Sequence, residues 1–388
     1  MKTSFEYIVI GLGGLGSGAA YWLSRRAGTE VLGIEQFELG HIRGESQDHS
    51  RIIRLSYHTP YYVELAKQAY GAWNDLEKDA AELLIVKTGG LDLWPSNAAI
   101  PMSDYEESLT ACHVPFEKLE AAEIRHRFPQ FQIEDEVHGI YQADGGIAPA
   151  AKCNAAHQRM ARAHGATLLE NTAVNSIRPT GEAFEVIANT STFRCQKLII
   201  AGGPWSNRLL ANFGMQRPLT ITQEQVTYFS TPNLQEFAPD RFPVWIWMDE
   251  PSFYGFPVYG EAGIKAGQDC GGKEVTTETR TFDPDLEAQQ RVENFVKQYL
   301  PAGYGPILYT KSCLYTLTPD RDFIIDSLPD FPNCLITIGA GHAFKFASII
   351  GKILSEMAID GKSTSAVRPF RISREILEME NPPRNFMI

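Results

Sequence analysis

Glu6 to Ile10 reads as a buried strand that runs without a spacer into Gly11-Leu12-Gly13-Gly14-Leu15-Gly16. Leu15 to Arg26 has the apolar spacing of a helix, with Ala19, Ala20, Leu23 and Ala27 three and four apart, and Val31 to Glu35 returns as a second strand. Three glycines in this spacing say little alone. With a strand before them, a helix after them and an acid nineteen residues beyond Gly16, they specify a dinucleotide-binding unit. Gly11 permits the sharp turn, Gly13 lets the backbone approach a pyrophosphate at the positive helix end, and Gly16 lets the helix lie close on the sheet. Glu35 is placed to accept hydrogen bonds from an adenosine ribose. The motif leaves FAD and NAD both open.

At 388 residues the chain has room for two or three domains at roughly 150 residues each. A net charge of -12 argues against nucleic acid or an anionic membrane as partner, because phosphate binding needs an excess of Lys and Arg. A small-molecule substrate is expected instead. The six cysteines contain no C-x-x-C pair, which fits reduced thiols in a cytoplasmic protein and implies no metal site. No apolar run of about 20 residues predicts a membrane span.

Further along, the pattern predicts a loop over 40–50, a helix over 61–77, and mixed short elements over 83–144 punctuated by Pro95, Pro115 and Pro129. A helix over 150–164 and strands over 167–169, 174–177, 184–187 and 197–201 read as a return to the nucleotide unit. Aromatic-rich alternation over 220–230, 244–248, 252–259 and 263–266 predicts a mostly antiparallel sheet, followed by a helix over 286–300, strands over 307–318 and 335–338, and a last helix over 344–361.

Several residues stand out for chemistry. Lys345 follows Gly339-Ala340-Gly341-His342-Ala343-Phe344 and falls in the first turn of the predicted last helix, where a cation opposes the helix dipole unless an anion is shared. A substrate carboxylate or a charged cofactor ring would supply that anion; a lysine reaching to water is the plain alternative. Arg51 and Arg54 flank two isoleucines and share a face only if the segment is helical, so anion contacts and solvated loop charges both remain open. Lys265 sits in an apolar strand, either desolvated or facing water. Cys313 reads by default as a small buried hydrophobe. Trp245 and Trp247 share a strand face, as core or as part of a substrate cage.

Taken jointly and in order, these motifs resemble the monomeric sarcosine oxidase family, which includes N-methyltryptophan oxidase and pipecolate oxidase, flavoenzymes of the D-amino-acid-oxidase type fold. The likeness runs from Tyr7 to about residue 361. It rests on the glycine fingerprint, Ser50-Arg51-Ile52-Ile53-Arg54, Asp144-Gly145-Gly146, Ala201 to Trp205, Tyr254-Gly255-Phe256-Pro257, Gly263-Ile264-Lys265, Ser312-Cys313-Leu314-Tyr315-Thr316 and Gly341-His342-Ala343-Phe344-Lys345-Phe346. The resemblance implies an α/β fold: a discontinuous Rossmann-like FAD-binding domain over 1–82, 145–218 and 319–388, interleaved with an antiparallel β-rich substrate domain over 83–144 and 219–318.

It further implies FAD attached through a thioether to Cys313, Lys265 activating oxygen, Arg54 and Lys345 holding a substrate carboxylate, Arg51 over the flavin and His342 beside the substrate amine. Tyr254 and Tyr315 would line the substrate pocket, and the aromatic strand offers Trp245 as a further lining residue. Val174, Ala201, Gly202, Trp205, Ser46, Ile52, Leu314 and Gly341 complete the implied FAD contacts. The implied activity is oxidation of a secondary amino acid to an imine by a monomer, with O2 reduced to H2O2. A dehydrogenase with another electron acceptor, an oxidase of sugar-amine adducts and a non-catalytic flavin-binding subunit are the rivals. The chain departs from sarcosine-type members at Asp269, Gln47 and Asp48, where they carry histidines. An acid at 269, near the amine, would favour cationic substrates, and the two tryptophans hint at a bulkier side chain.

Overall fold

The computed structural model describes residues 2–96 and 98–385; residues 1, 97 and 386–388, which include the outer ends of two expected segments, lie outside the described residues. Ser4–Ile10 forms the middle of an eight-stranded sheet, parallel to Val31–Ile34 on one side and to Ser191–Ile200 on the other. Ile8 and Val9, on opposite faces, are both fully buried, as in a parallel sheet covered on both sides. Thr167–Leu169 extends the sheet beyond Val31–Ile34, and Phe331–Ile338 joins it beside residues 198–200. The sequence pattern misses Ile324–Leu328, antiparallel to Phe331–Ile338, because its polar Asp326 and Ser327 break the apolar run.

Helices Gly14–Ala27, Pro60–Ala80, Ala150–Ala163 and Ala347–Asp360 bury one shared core, with Ala19, Leu23, Trp73, Ala156, Ile350 and Leu354 within it. The last helix starts later than predicted. Ala343–Phe346 is a 3-10 turn, so Lys345 precedes the α-helix rather than opening it.

The second large sheet has nine strands among the described residues. Thr220–Ser230 pairs antiparallel with Gly263–Gln268 and Ile307–Leu317, and the sheet continues through Phe253–Phe256 and Val244–Trp247. Gly90–Trp94 then pairs in parallel with Val244–Trp247, drawing a segment from the first half of the chain into this sheet. Helix Leu286–Tyr299, capped by Asp285 Oδ1 accepting from the amides of Glu287 and Ala288, covers one face. That face holds the two tryptophans. Trp245 stacks on Phe295 at 5.5 Å between ring centroids and is 1 % exposed, so the expectation that it lines a substrate pocket is corrected: strand alternation turns it into the core. Its neighbour Ile246 faces the other way.

A three-stranded sheet pairs Arg51–Ile53, just after the loop over 40–50, with Gly146–Ala148, which pairs on its other side with Val86–Lys87. Among the described residues, no helix is long and apolar enough to cross a membrane.

Candidate active site

Two cavities meet above the Gly14–Ala27 helix. The first is lined by Gly11, Gly13, Glu35, Val174, Ala201, Gly202 and Trp205; the second by Arg51, Ile52, Arg54, Tyr254, Asp269, Tyr315, Gly341, His342 and Lys345. Gly14, Leu15, Glu45, Ser46 and Gly339 stand on both walls, so the cavities form one trough.

The first lobe fits a dinucleotide. Gly11 has φ +87°, and a Cβ there would lie 2.3 Å from the Ala201 carbonyl oxygen; a Cβ on Gly16 would lie 1.8 Å from the Gly11 carbonyl oxygen. Gly13 itself lines the lobe, where a side chain would fill the space in front of the helix end. The helix has no acid in its first turn, so its positive end is left for an anion; Ser46 Oγ accepts from the Gly14 amide at 2.8 Å. Glu35 is buried at the end of its strand, its Oε2 accepting from the Leu12 amide at 2.8 Å and its Oε1 3.5 Å from His41 Nε2.

The second lobe is ringed by cations. Arg51 and Arg54 both reach it although their segment is a strand, not a helix: the strand ends at Ile53, and Arg54 turns in after it. Arg54 is 5 % exposed, its NH1 3.3 Å from Asp92 Oδ2, and its buried Nε has no hydrogen-bond partner. Lys345 Nζ lies 5.9 Å from the ring centres of both Tyr57 and Phe346. Burial and the charge of Arg54 push its ammonium down to about 7, with Asp269 opposing.

His342 Nε2 lies 2.8 Å from the Arg321 carbonyl oxygen, a group that only accepts, so the proton sits on Nε2. Burial and the nearby Arg321 and Lys345 hold the ring's pKa well below the usual range. It is neutral, with buried Nδ1 free to accept a hydrogen bond.

Asp269 does line the lobe, but it is not a free anion. The guanidinium of Arg321, fully buried on a left-handed residue with φ +64°, reaches Asp269 Oδ2 at 3.4 Å and the Ala340 carbonyl at 3.2 Å. The expected pull on cationic substrates is thereby offset.

Lys265, Cys313 and Leu314 stand behind the wall and not on it. Lys265 is 2 % exposed, its Nζ 2.7 Å from Asp48 Oδ2, 2.8 Å from the Ser50 carbonyl and 3.1 Å from Ser50 Oγ. Burial lowers its pKa to about 8 against the pull of Asp48. Cys313 is paired in register with Glu224, and burial pushes its thiol up to about 11 while Arg51 pulls it down.

Asp92 behind Arg54, Arg321 behind Asp269 and the apolar wall of Ile246, Met248 and Phe256 were not singled out in the sequence. Asp92 carried a signal, an acid between Leu91 and Leu93 in a strand; Arg321, in an acid-rich turn between Asp320 and Asp322, carried none.

The profile of the DAO family, described as FAD dependent oxidoreductase, matches residues 6–357. Monomeric sarcosine oxidase from Bacillus sp. (strain NS-129) is 29% identical over 98% of this chain and 99% of its own. Peroxisomal sarcosine oxidase from Homo sapiens is 31% identical over 96% and 97%. Among solved structures, NikD, described as an unusual amino acid oxidase essential for nikkomycin biosynthesis, superposes with a TM-score of 0.84 at 23% identity, covering 95% of this chain and 98% of that one.

Proposed function

Because the chain belongs to the DAO family of FAD-dependent oxidoreductases, we propose that it oxidises a secondary amino acid, N-methylated or cyclic, to an imine with O2 as acceptor. The sarcosine oxidases it matches support this substrate class by their names. The observation that carries the proposal is the pair Arg54 and Lys345 on one lobe, with Arg54 Nε buried and unpartnered. A carboxylate is the anion that would satisfy it.

Fixing the carboxylate there orients the remaining C–H, and orientation is a large part of the barrier. Bound FAD supplies the two-electron acceptance, and O2 then takes the two electrons and two protons to become H2O2. Three cations facing the lobe favour the neutral amine, the form that gives up hydride. Neutral His342, with Nδ1 free, accepts the amine N–H. Arg51, beside Glu45 and Ser46, provides fixed positive charge where negative charge collects on the cofactor. The apolar wall of Ile246, Met248 and Phe256 takes the substrate's carbon skeleton. Lys265 serves the oxygen step, supported by its burial beside Arg51, and Cys313 carries the flavin, supported by its place in the Ser312-Cys313-Leu314-Tyr315-Thr316 strand. The chain acts alone, as the word monomeric says of the Bacillus relative.

Anaerobic mixing with sarcosine, larger N-methyl amino acids, pipecolate and proline should bleach the flavin spectrum for at least one of them, and admitted O2 should restore it with one H2O2 per turnover. A flavin that no amine bleaches would overturn the proposal; bleaching without peroxide would make the chain a dehydrogenase.

A further inference from the structure

Asp48 is the most heavily contacted carboxylate behind the lobe. It is 5 % exposed, sits in a left-handed conformation at φ +98°, and its own carbonyl accepts from the Ala151 amide at 3.1 Å, so its position is set by the backbone. Four groups converge on its two oxygens. Lys265 Nζ is at 2.7 Å and Arg51 NH1 at 3.7 Å from Oδ2; Tyr228 Oη donates at 2.8 Å and Lys311 Nζ at 3.1 Å to Oδ1. Lys311 is the solvent end, with 32% of its side chain exposed.

We propose that Asp48 is a positioning residue of the oxygen step, holding Lys265 in place and cationic beside Arg51 so that a fixed positive charge stands directly behind the wall of the second lobe, where O2 is reduced. This deepens the function proposed above and rests on its assignment of Lys265. The geometry demands a counter-ion. Lys265 is buried beside the partly exposed Arg51, whose guanidinium keeps its proton, so without an anion between them Lys265 would lose its own. The other titratable neighbours do not substitute: Cys313 and Tyr228 are kept protonated by burial, burial pushes the Glu45 carboxyl up to about 7 and Thr316 Oγ1 donates to it, and Glu261 is engaged by Tyr309 Oη at 2.8 Å and His49 Nε2 at 3.3 Å. Burial would raise the Asp48 pKa, but Lys265, Arg51 and Lys311 outweigh it and hold it well below the usual carboxylate range.

The test compares three variants with the parent. Lysine 13Cε NMR, with the Lys265 signal assigned by its loss in Lys265→Met, follows the charge of Lys265 with pH independently of turnover. Stopped-flow reoxidation of reduced enzyme follows the oxygen step. In Asp48→Asn the Lys265 midpoint should fall by at least one unit, and reoxidation near pH 8 should drop about tenfold more than anaerobic reduction by amine, recovering toward low pH. In Lys311→Met, which removes a competing cation at a half-exposed position, the midpoint should rise. A midpoint unmoved in Lys311→Met, or in a folded Asp48→Asn, would overturn the role of Asp48. Unimpaired reoxidation in Lys265→Met would instead overturn the assignment of Lys265, whatever Asp48 does to its charge.

Discussion

With the substrate carboxylate held as proposed, Lys345 is the group whose titration should set the pH behaviour of binding, Arg54 keeping its charge throughout. With its pKa near 7, Lys345 is cationic below that value and loses its charge as pH rises through it. The dissociation constant of a carboxylate that carries no amine should therefore be flat at low pH and weaken above about pH 7, measured by flavin difference spectra. Arg54→Gln should raise KM about 30-fold or more, as the loss of a charge-assisted bond worth roughly 2 kcal/mol predicts. Because it also strands Asp92, a paired Asp92→Asn variant should regain stability but not KM. That Arg51, Arg54, Lys345 and His342 would share one wall was legible from the ordered set of motifs and its family resemblance, not from any one motif by itself. The duty of Asp48 was not, since it depends on Lys265, 217 positions away, arriving at the loop that holds Asp48 and Ser50. Nor could Asp269 be read as neutralised, since Arg321 reaches it from a turn between two other strands.

Helices and strands were legible where an apolar pattern ran unbroken, as in Gly14–Ala27 and Thr220–Ser230, and Ile324–Leu328 was missed where Asp326 and Ser327 interrupt it; what a legible strand did not give was which of its faces is core. Val244–Trp247 is the instructive case. Aromatic composition marked it as important, but only the helix Leu286–Tyr299, docked on one face, decides that Trp245 is core. Trp245→Phe should accordingly lower the melting temperature while leaving KM within twofold of the parent, and a large KM change would restore Trp245 to the pocket. The crossing of Gly14–Ala27 with Ala347–Asp360 was also invisible in sequence. A Cβ on Gly351 would lie 2.3 Å from the Gly18 carbonyl carbon, and one on Gly18 would lie 2.5 Å from the Ala347 carbonyl oxygen. Gly351→Ala should cost about 1–3 kcal/mol by overpacking, read by chemical denaturation. It should also lower the fraction of purified protein that carries flavin, since the partner helix begins at the glycine fingerprint.

At the scale of the whole chain, order was the strongest signal: the motifs follow one another as two interleaved sheets require, and Gly90–Trp94 does leave the first half to pair with Val244–Trp247. Attachment of the flavin is checked at this scale too. Acid-precipitated protein should keep its yellow colour, and Cys313→Ala should release it to the supernatant. One short stretch binds the architecture together. Between residues 45 and 51, Glu45 and Ser46 face both lobes, Asp48 meets Lys265, and Arg51 faces the second lobe. An insertion there would displace both lobes and the Asp48–Lys265 contact at once, whereas Ile246 and Met248 line only the second lobe. Diversification of substrate range in such a chain is thus channelled to the far wall, and the seven-residue stretch is left as the part that drift cannot revise piecemeal.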